Sequence, residues 1–192
     1  MPWEGDVRKE LVELVEEGRI APGRAIDLGT GTGSNAIFLA EKGFDVTGVD
    51  FAPSAIEKAR ENASQAGVQV CFVVDDLTEL RHVDGSFDFL LDYGTLDDLG
   101  PRDRDLYVQN LLALAHTGSQ YLLWAHEWPS RWWERLLARL LGAGVAFQPG
   151  EVQARLGPYF DIERIAGSAE VDYSRWPPGF AAYLMTRNHC PR

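Results

Sequence analysis

The stretch Arg24-Ala-Ile-Asp-Leu-Gly-Thr-Gly-Thr-Gly-Ser34 decides the fold of this chain. Its first half is mainly apolar and predicts a buried strand, and its glycines, Gly29, Gly31 and Gly33, predict a turn with almost no side chains. A helix is predicted directly after the turn, over residues 34–42. A strand, a glycine turn and a helix in this order expose backbone N–H groups to a nucleotide-like ligand.

Strands and helices alternate outward from this stretch. Six further strands are predicted, at residues 44–50, 68–74, 87–92, 119–125, 160–165 and 180–186. Helices are predicted between most of them, and this alternation is typical of a parallel sheet. No helix is predicted between the last two strands, so we expect these to pair antiparallel. The expected fold class is α/β, with a doubly wound, mostly parallel seven-stranded sheet, helices on both faces and an antiparallel C-terminal strand.

The helix predictions rest on apolar periodicity and on end signals. They fall at residues 6–17, 34–42, 54–65, 130–141 and at a helix that begins at Pro101. Asp6 is placed to cap the first helix, and Ser54-Ala-Ile-Glu57 has the pattern of a capping box, which predicts a helix start at Ser54. Residues 1–192 are expected to form one domain, because the length suffices for one core and no convincing boundary occurs.

The composition excludes several classes of function. The chain carries 29 acidic against 18 basic residues, a formal charge of −11, which argues against binding of nucleic acid or of an anionic membrane surface. Its two cysteines, Cys71 and Cys190, fit neither a structural disulfide nor a metal site. No signal-peptide pattern and no apolar run of ~18 residues occurs. We therefore expect a cytoplasmic protein without a metal.

The glycine turn has two competing interpretations. Gly31-x-Gly33-x-x-Ala36 fits the dinucleotide fingerprint, and Asp50 lies at the right distance to hold a ribose hydroxyl, which favours an NAD-dependent oxidoreductase. Asp27 argues against that alternative. A carboxylate inside an apolar strand needs a partner, which a cationic amino group of the ligand would supply, whereas a pyrophosphate would be repelled. A Tyr-x-x-x-Lys pattern, expected on the nicotinamide side, is also absent.

Four motifs in order resemble the class I S-adenosylmethionine-dependent methyltransferases. Asp27-Leu-Gly-Thr-Gly-Thr-Gly33 resembles their first motif, and Val49-Asp50 resembles the second-strand acid that holds the ribose. Asp76-Leu77 resembles the adenine-recognition position of the family. There the carboxylate binds the exocyclic amine of adenine, and the backbone N–H of the next residue binds the adenine ring. Residues 85–92 resemble the fourth-strand motif. The similarity is close over residues 24–99, and it implies S-adenosylmethionine as cofactor and a small-molecule methyl acceptor.

The glycine turn and this resemblance together give one set of cofactor-binding candidates. These are Asp27, Gly29, Thr30, Gly31, Thr32, Gly33, Asn35, Asp50, Phe51, Asp75, Asp76, Leu77 and Asp92. Phe51 is interpreted either as a wall of the adenine pocket or as part of the core. Of Asp75 and Asp76, one is expected to be merely solvated.

The acceptor side is expected after the fourth and fifth strands, where open α/β sheets place reacting groups. The catalytic candidates are Asp92, Tyr93 and His126. The loop from Asp92 to Asp98 resembles that of the thiopurine and tellurite methyltransferases, which have histidines where this chain has Asp97 and Asp98. A thiolate acceptor needs little base assistance. An amine or a hydroxyl needs a base, for which Asp92, Asp97 and His126 are the candidates.

Several alternatives stay open at this stage. A catalytically idle, methyltransferase-like binding protein fits the same motifs, and the oxidoreductase stays the rival from another enzyme class. Residues 1–23 are interpreted as an N-terminal helix, and the resemblance implies that this segment can serve as a lid. Trp3 is interpreted either as a cover of the pocket or as a packing anchor. The acceptor atom and the oligomeric state are left undecided by the sequence.

Overall fold

The computed structural model describes residues 7–129, 131, 133, 146–167 and 179–189. The strands are β1 (Arg24–Leu28), β2 (Asp45–Asp50), β3 (Cys71–Val74), β4 (Phe87–Tyr93), β5 (Ala115–His126), β6 (Phe160–Gly167) and β7 (Phe180–Arg187). The helices in the described part are α1 (Lys9–Glu16), α2 (Ser34–Glu41), α3 (Pro53–Ala66), α4 (Pro101–Leu114) and α5 (Glu151–Leu156). None of these helices has the length and apolar character needed to cross a membrane. The helix predicted over residues 130–141 falls largely outside the described residues.

The seven strands form one sheet in the order β3-β2-β1-β4-β5-β7-β6. The first five strands pair parallel, and β7 runs antiparallel to both of its neighbours, β5 and β6. This arrangement confirms the predicted mostly parallel seven-stranded sheet with an antiparallel C-terminal strand. All seven predicted strands are present, with ends that differ by a few residues.

Helices cover both faces of the sheet, as the doubly wound prediction requires. Successive side chains of a strand point to opposite faces, so Ala25 belongs to the same core cluster as Leu39 of α2, whereas Ile26 belongs to the cluster that contains Tyr107 of α4. The first of these two cores lies under α1, α2 and α3, and the second lies under α4 and α5. A sheet buried on both faces explains the nearly continuous apolar runs of its central strands.

Two predicted helix starts differ from the structure. The capping box predicted at Ser54 is wrong, because α3 begins one residue earlier, at Pro53, with Ala52 as its N-cap and no side-chain cap. Proline is well suited to the first helical position, since its fixed φ matches the helix and its missing N–H costs nothing there. Helix α1 begins at Lys9, and its predicted cap, Asp6, lies outside the described residues.

The sheet gathers the predicted site residues at one edge. The carboxyl ends of the parallel strands meet there, and so does the start of the antiparallel strand β7, since His126 is in register with Phe180. The glycine turn, Asp50 and Tyr93 follow β1, β2 and β4 at the same edge. Open α/β sheets bind their ligands outside this edge.

Candidate active site

The glycine turn brings bare backbone to the sheet edge. Gly29, Gly31 and Gly33 have φ angles of 82°, 54° and 86°, which other residues rarely adopt. A Cβ on Gly29 would lie 2.0 Å from Oγ1 of Thr95, whereas one on Gly31 would meet no atom within 4 Å. The Gly29 N–H donates to the Val49 carbonyl at 2.8 Å and fixes the turn against β2. The open space at Gly31 leaves its backbone accessible to a ligand.

Asp27 finds its partners within the protein. Only 2% of its surface is exposed, and its carboxylate accepts a hydrogen bond from the Thr30 hydroxyl at 2.6 Å. Burial raises the pKa of Asp27 to about 6, although the hydrogen bond from Thr30 acts to lower this pKa. Thr30 is therefore a partner within the protein, and the contact of Asp27 with a ligand amino group stays a prediction. The loop supplies the donor, and Asp27 with Thr30 supports the turn from below.

Asp50 joins the glycine turn to the start of α3. One carboxylate oxygen accepts the Gly31 N–H and the other accepts the Ala52 N–H, both at 2.9 Å. Each carboxylate oxygen has a second acceptor position, so the group can still accept two hydroxyl donors from a ligand. Phe51, beside it, is 78% exposed, which excludes the interpretation of this ring as core. Asp50 itself is 9% exposed, and it thus lies next to the turn with the exposed Phe51 ring beside it.

The two acids after β3 have different environments. Asp75 is 6% exposed and accepts the N–H groups of Asp76 and His82, at 2.9 and 2.7 Å. Burial acts to raise its pKa, but these N–H donors prevail, so the pKa lies below its ordinary value. Asp76 is exposed and accepts from the Thr78 N–H and hydroxyl, while the Leu77 side chain is buried. Asp75 therefore organises the loop, and Asp76 is the acid that faces outward.

Two further cofactor candidates, Thr32 and Asn35, connect the turn to neighbouring segments. The Thr32 carbonyl accepts a hydrogen bond from the Asn62 amide of α3 at 3.0 Å. The Asn35 side-chain oxygen accepts the Arg8 backbone N–H at 3.2 Å. Asn35 thus holds the residue before α1 next to the glycine turn, a contact that no sequence pattern indicates.

Asp92 is buried beneath the loop that follows β4. It has no exposed surface, and its carboxylate accepts from the N–H groups of Thr95 and Leu96 and from the hydroxyls of Tyr107 and Tyr121, at 2.6 to 3.3 Å. The expectation of a base that faces the pocket is corrected by this burial. Burial also raises the pKa of Asp92 to about 7. Asp92 positions the loop and does not itself reach solvent.

We expect Asp92→Asn to flatten the pH dependence of stability. The folded-state pKa of Asp92, about 7, exceeds the unfolded value of 3.8. The protonated carboxyl therefore contributes its full share of the folding stability at low pH, and this share is lost as the pH rises toward 7. In the wild type, this carboxyl should lower the free energy of unfolding by up to about 1.4 kcal/mol per pH unit over that window. Urea unfolding at half-unit steps between about pH 5 and 8 measures the slope.

The matched control for this experiment is Asp88→Asn. Asp88 is half exposed and accepts the Arg24 N–H at 2.8 Å, and this bond, with the His116 ring, lowers its pKa. Its own contribution to stability therefore changes only at lower pH. Because the Thr117 carbonyl and Asp88 raise the pKa of His116, both variants are compared in a His116→Gln background, where Asp88→Asn should keep the slope of its parent above pH 5. An Asp92→Asn slope equal to that of its parent would contradict the assignment.

Arg104 holds the same loop from the other side. Its guanidinium is 4% exposed and donates to the carbonyls of Leu96 and Asp97, at 3.2 and 2.6 Å, and to Glu151 of α5 at 2.9 Å. Asp92 thus binds N–H groups of the loop while Arg104 binds its carbonyls. This double attachment fixes Asp97 at the end of β5.

Asp97 and His126 form a hydrogen-bonded pair on the acceptor side. One carboxylate oxygen of Asp97 lies 2.8 Å from Nδ1 of His126 and accepts its backbone N–H at 2.9 Å. The hydrogen bond that Asp97 accepts from the imidazole raises the pKa of His126 above its ordinary value, despite partial burial. The imidazole is 31% exposed, and with Nδ1 bound, Nε2 is the nitrogen that can exchange a proton with a ligand. The sequence named both residues but did not predict their contact.

A row of stacked rings lies beside this pair. Tyr93 stacks on Trp124 at 4.5 Å between ring centroids, and Trp124 stacks on Phe180 at 5.3 Å. The His126 ring meets Trp124 edge-on at 4.8 Å, and the Arg8 guanidinium lies 3.8 Å above the Tyr93 ring. Burial raises the pKa of Tyr93 to about 12, so this phenol stays protonated near neutral pH and is no base.

The structure brings the two groups of predicted residues together. Leu28 is in register with Asp92, so the glycine turn and the loop after β4 leave the sheet side by side. The Thr95 hydroxyl donates to the Leu28 carbonyl at 3.1 Å and closes the contact between them. Asp50 and the open backbone of Gly31 therefore lie on one side of this junction, with Tyr93 on the other.

Known proteins with similar sequences are methyltransferases. A family described as "Methyltransferase domain" matches residues 25–118. The 2-heptyl-1-hydroxyquinolin-4(1H)-one methyltransferase of Mycobacteroides abscessus is 32% identical over 124 residues, which are 64% of this chain and 54% of that protein. An uncharacterised methyltransferase of Schizosaccharomyces pombe is 31% identical over 112 residues, which are 58% of this chain and 77% of the relative. The chain thus spans about half the length of the first relative.

A solved structure shows the same fold with a ligand. It is the magnesium protoporphyrin IX methyltransferase of Synechocystis PCC 6803 with bound S-adenosylhomocysteine, which is 22% identical, with a TM-score of 0.69 over 93% of this chain and 80% of that chain. The oxidoreductase alternative is not favoured by these comparisons. The resemblance to the thiopurine and tellurite branch is not confirmed by them and stays a prediction. On this evidence the chain belongs to the class I S-adenosylmethionine-dependent methyltransferases, whose methyl donor is S-adenosylmethionine.

Proposed function

We propose that this protein transfers the methyl group of S-adenosylmethionine to a hydroxyl group of a small, planar acceptor. The observation that carries the proposal is the His126–Asp97 pair, which lies on the acceptor side of the glycine turn. A hydroxyl is a poor nucleophile while it keeps its proton, and a histidine of raised pKa is suited to remove it.

The residues of the sheet edge fit the cofactor in the order of the strands. The strand order β3-β2-β1-β4 places Asp76 and Leu77, Asp50, the glycine turn and Tyr93 in sequence along the edge. S-adenosylmethionine has adenine, ribose and sulfonium in the same linear order, and the sulfonium carries both the methyl group and the amino-acid chain. Asp50 would accept the ribose hydroxyls, and the bare backbone of the turn would allow the close approach of the chain. Bound there, the cofactor supplies an electrophilic methyl group on a sulfonium.

His126 and Asp97 together remove the proton of the acceptor hydroxyl. In the proposed reaction the S–CH3 bond breaks and an O–CH3 bond forms, while the hydroxyl proton moves to Nε2 of His126. The Asp97 carboxylate, 1% exposed in its side chain, stabilises the imidazolium that results and fixes the ring orientation. The products are a methyl ether and S-adenosylhomocysteine, and His126 later loses its proton to water. Alignment of oxygen and methyl carbon supplies much of the remaining acceleration.

The planar acceptor is inferred from the aromatic surroundings of His126. Phe180 is 37% exposed, and it continues the row formed by Tyr93 and Trp124 toward solvent. An aromatic face and ring edges of this kind bind flat, apolar molecules better than charged or extended ones. The relative from Mycobacteroides abscessus is named for a hydroxyquinolone, a planar ring that carries oxygen, and this supports the same acceptor class here.

A methyl-transfer screen tests the proposal. The protein is incubated with methyl-labelled S-adenosylmethionine and a panel of ring hydroxyls, thiols, amines, carboxylates and metalloid oxyanions. We expect label to appear on ring hydroxyls, with heat-inactivated protein as the blank. Transfer to thiols or oxyanions alone would contradict the hydroxyl acceptor, and cofactor binding without transfer to any class would support the catalytically idle alternative.

A further inference from the structure

Arg8 contacts both sides of the site, the glycine-turn side that would hold the cofactor and the β4 side that would hold the acceptor. Its backbone N–H is held by Asn35, in the first turn of the helix that follows the glycine turn. Its guanidinium reaches the other half and lies 3.8 Å above the ring of Tyr93, at the end of β4. No described carboxylate lies within 4.0 Å of this guanidinium, although acidic residues outnumber basic ones 29 to 18 in the whole chain.

We propose that Arg8 binds the carboxylate at the amino-acid end of S-adenosylmethionine, an inference that rests on the proposed function. If the ribose lies at Asp50 and the adenine beside Asp76, the opposite end of the cofactor passes over the glycine turn toward β4. Arg8 lies over that path, between Asn35 and Tyr93. That end of the molecule carries one carboxylate and one ammonium group, and a guanidinium is the donor best suited to the carboxylate.

The position of the Arg8 guanidinium over the Tyr93 ring leaves its N–H groups available to a ligand. A guanidinium that lies over an aromatic ring uses its face, whereas its N–H groups point outward in the plane of the group. Those in-plane donors match the two oxygens of a carboxylate. The contact with Tyr93 therefore orients the group for a carboxylate ligand and does not compete with it.

The surrounding charges favour a zwitterion over a simple anion. Glu10 and Asp97 both act to raise the pKa of Tyr93, whereas Arg8 acts to lower it, so charges of both signs surround this ring. A purely anionic acceptor would meet two opposing carboxylates there. The amino-acid end of the cofactor carries both signs and can satisfy both kinds of neighbour. This is why we assign Arg8 to the cofactor and not to the acceptor.

The test compares two ligands that differ only in the carboxylate. Calorimetry measures the affinities of S-adenosylmethionine and of decarboxylated S-adenosylmethionine for the wild type, Arg8→Met and Lys9→Met. A charge-assisted pair of hydrogen bonds should make the wild type prefer the carboxylated ligand by about 10- to 100-fold. Arg8→Met should lose most of this preference, and Arg8→Lys should restore part of it. Lys9→Met, which removes an 82% exposed cation one residue away, should keep the wild-type preference.

Each outcome has a distinct meaning. A preference retained by a folded Arg8→Met protein, checked by its melting curve, would overturn the inference, and so would an equal loss of affinity for both ligands. Either result would leave the proposed function intact, because the wild type would still bind the cofactor. A wild type that binds neither ligand would instead overturn the proposed function itself.

Discussion

Asp50→Ala is expected to weaken the binding of S-adenosylmethionine and S-adenosylhomocysteine by about 100-fold or more, as measured by calorimetry. The Asp50 carboxylate would accept two ribose hydroxyls, and each hydrogen bond to a charged group contributes about 1.5–3 kcal/mol. Asp50 also holds the N–H groups of Gly31 and Ala52, so its loss loosens the turn over which the cofactor lies. The two effects act in the same direction.

The control for this prediction is Asp45→Ala. Asp45 begins the same strand, β2, at its opposite end and is exposed, so its variant should bind the cofactor like the wild type. Asp50→Asn keeps one acceptor oxygen and should fall between the two variants. Wild-type affinity for S-adenosylhomocysteine in a folded Asp50→Ala protein would remove Asp50 from the cofactor site.

His126→Gln is expected to lower kcat by about 10²- to 10⁴-fold on the acceptor that the screen identifies, with cofactor affinity unchanged. The loss follows because glutamine cannot take up the hydroxyl proton. Activity of the wild type should rise with pH as His126 loses its proton. Since Asp97 raises the pKa of His126, the midpoint of this rise should lie above pH 6.5, the ordinary pKa of histidine. Asp97→Asn should move the midpoint to lower pH and reduce kcat.

A second histidine provides the control for this series. His116 also pairs with an aspartate, Asp88, at 3.1 Å, but it lies at the start of β5, at the opposite edge of the sheet. His116→Gln should therefore keep both kcat and the pH profile. An unchanged kcat in His126→Gln would show that the acceptor needs no base from this residue, as expected for a thiolate acceptor.

The cofactor half of the site could be predicted because its signals are local. Gly29, Gly31 and Gly33 require unusual backbone angles within one short turn, and Asp50 ends the next strand, where a sheet of this class places its ligands. The alternation of strands and helices also predicted the mixed sheet. The start of α3 was misplaced because Pro53 determines it and Ser54 does not.

The acceptor half could be predicted only in part, because its contacts join distant residues. Asp92 is buried by Tyr107 and Tyr121, which lie 15 and 29 positions further along the chain, so its environment cannot be deduced from its own loop. Asp97 meets His126 across 29 residues for the same reason. One missed residue did have a signal. Trp124 precedes His126 by two positions on a strand, which places both side chains on one face.

A crystal structure of this protein with bound S-adenosylhomocysteine would show where the cofactor lies. We expect the ribose hydroxyls on the Asp50 carboxylate, the adenine beside Asp76 and Leu77, and the sulfur on the β4 side of the glycine turn, facing Tyr93 and His126. The amino-acid carboxylate should lie on Arg8. A ligand whose ribose lies away from Asp50, or whose sulfur points away from His126, would contradict the account.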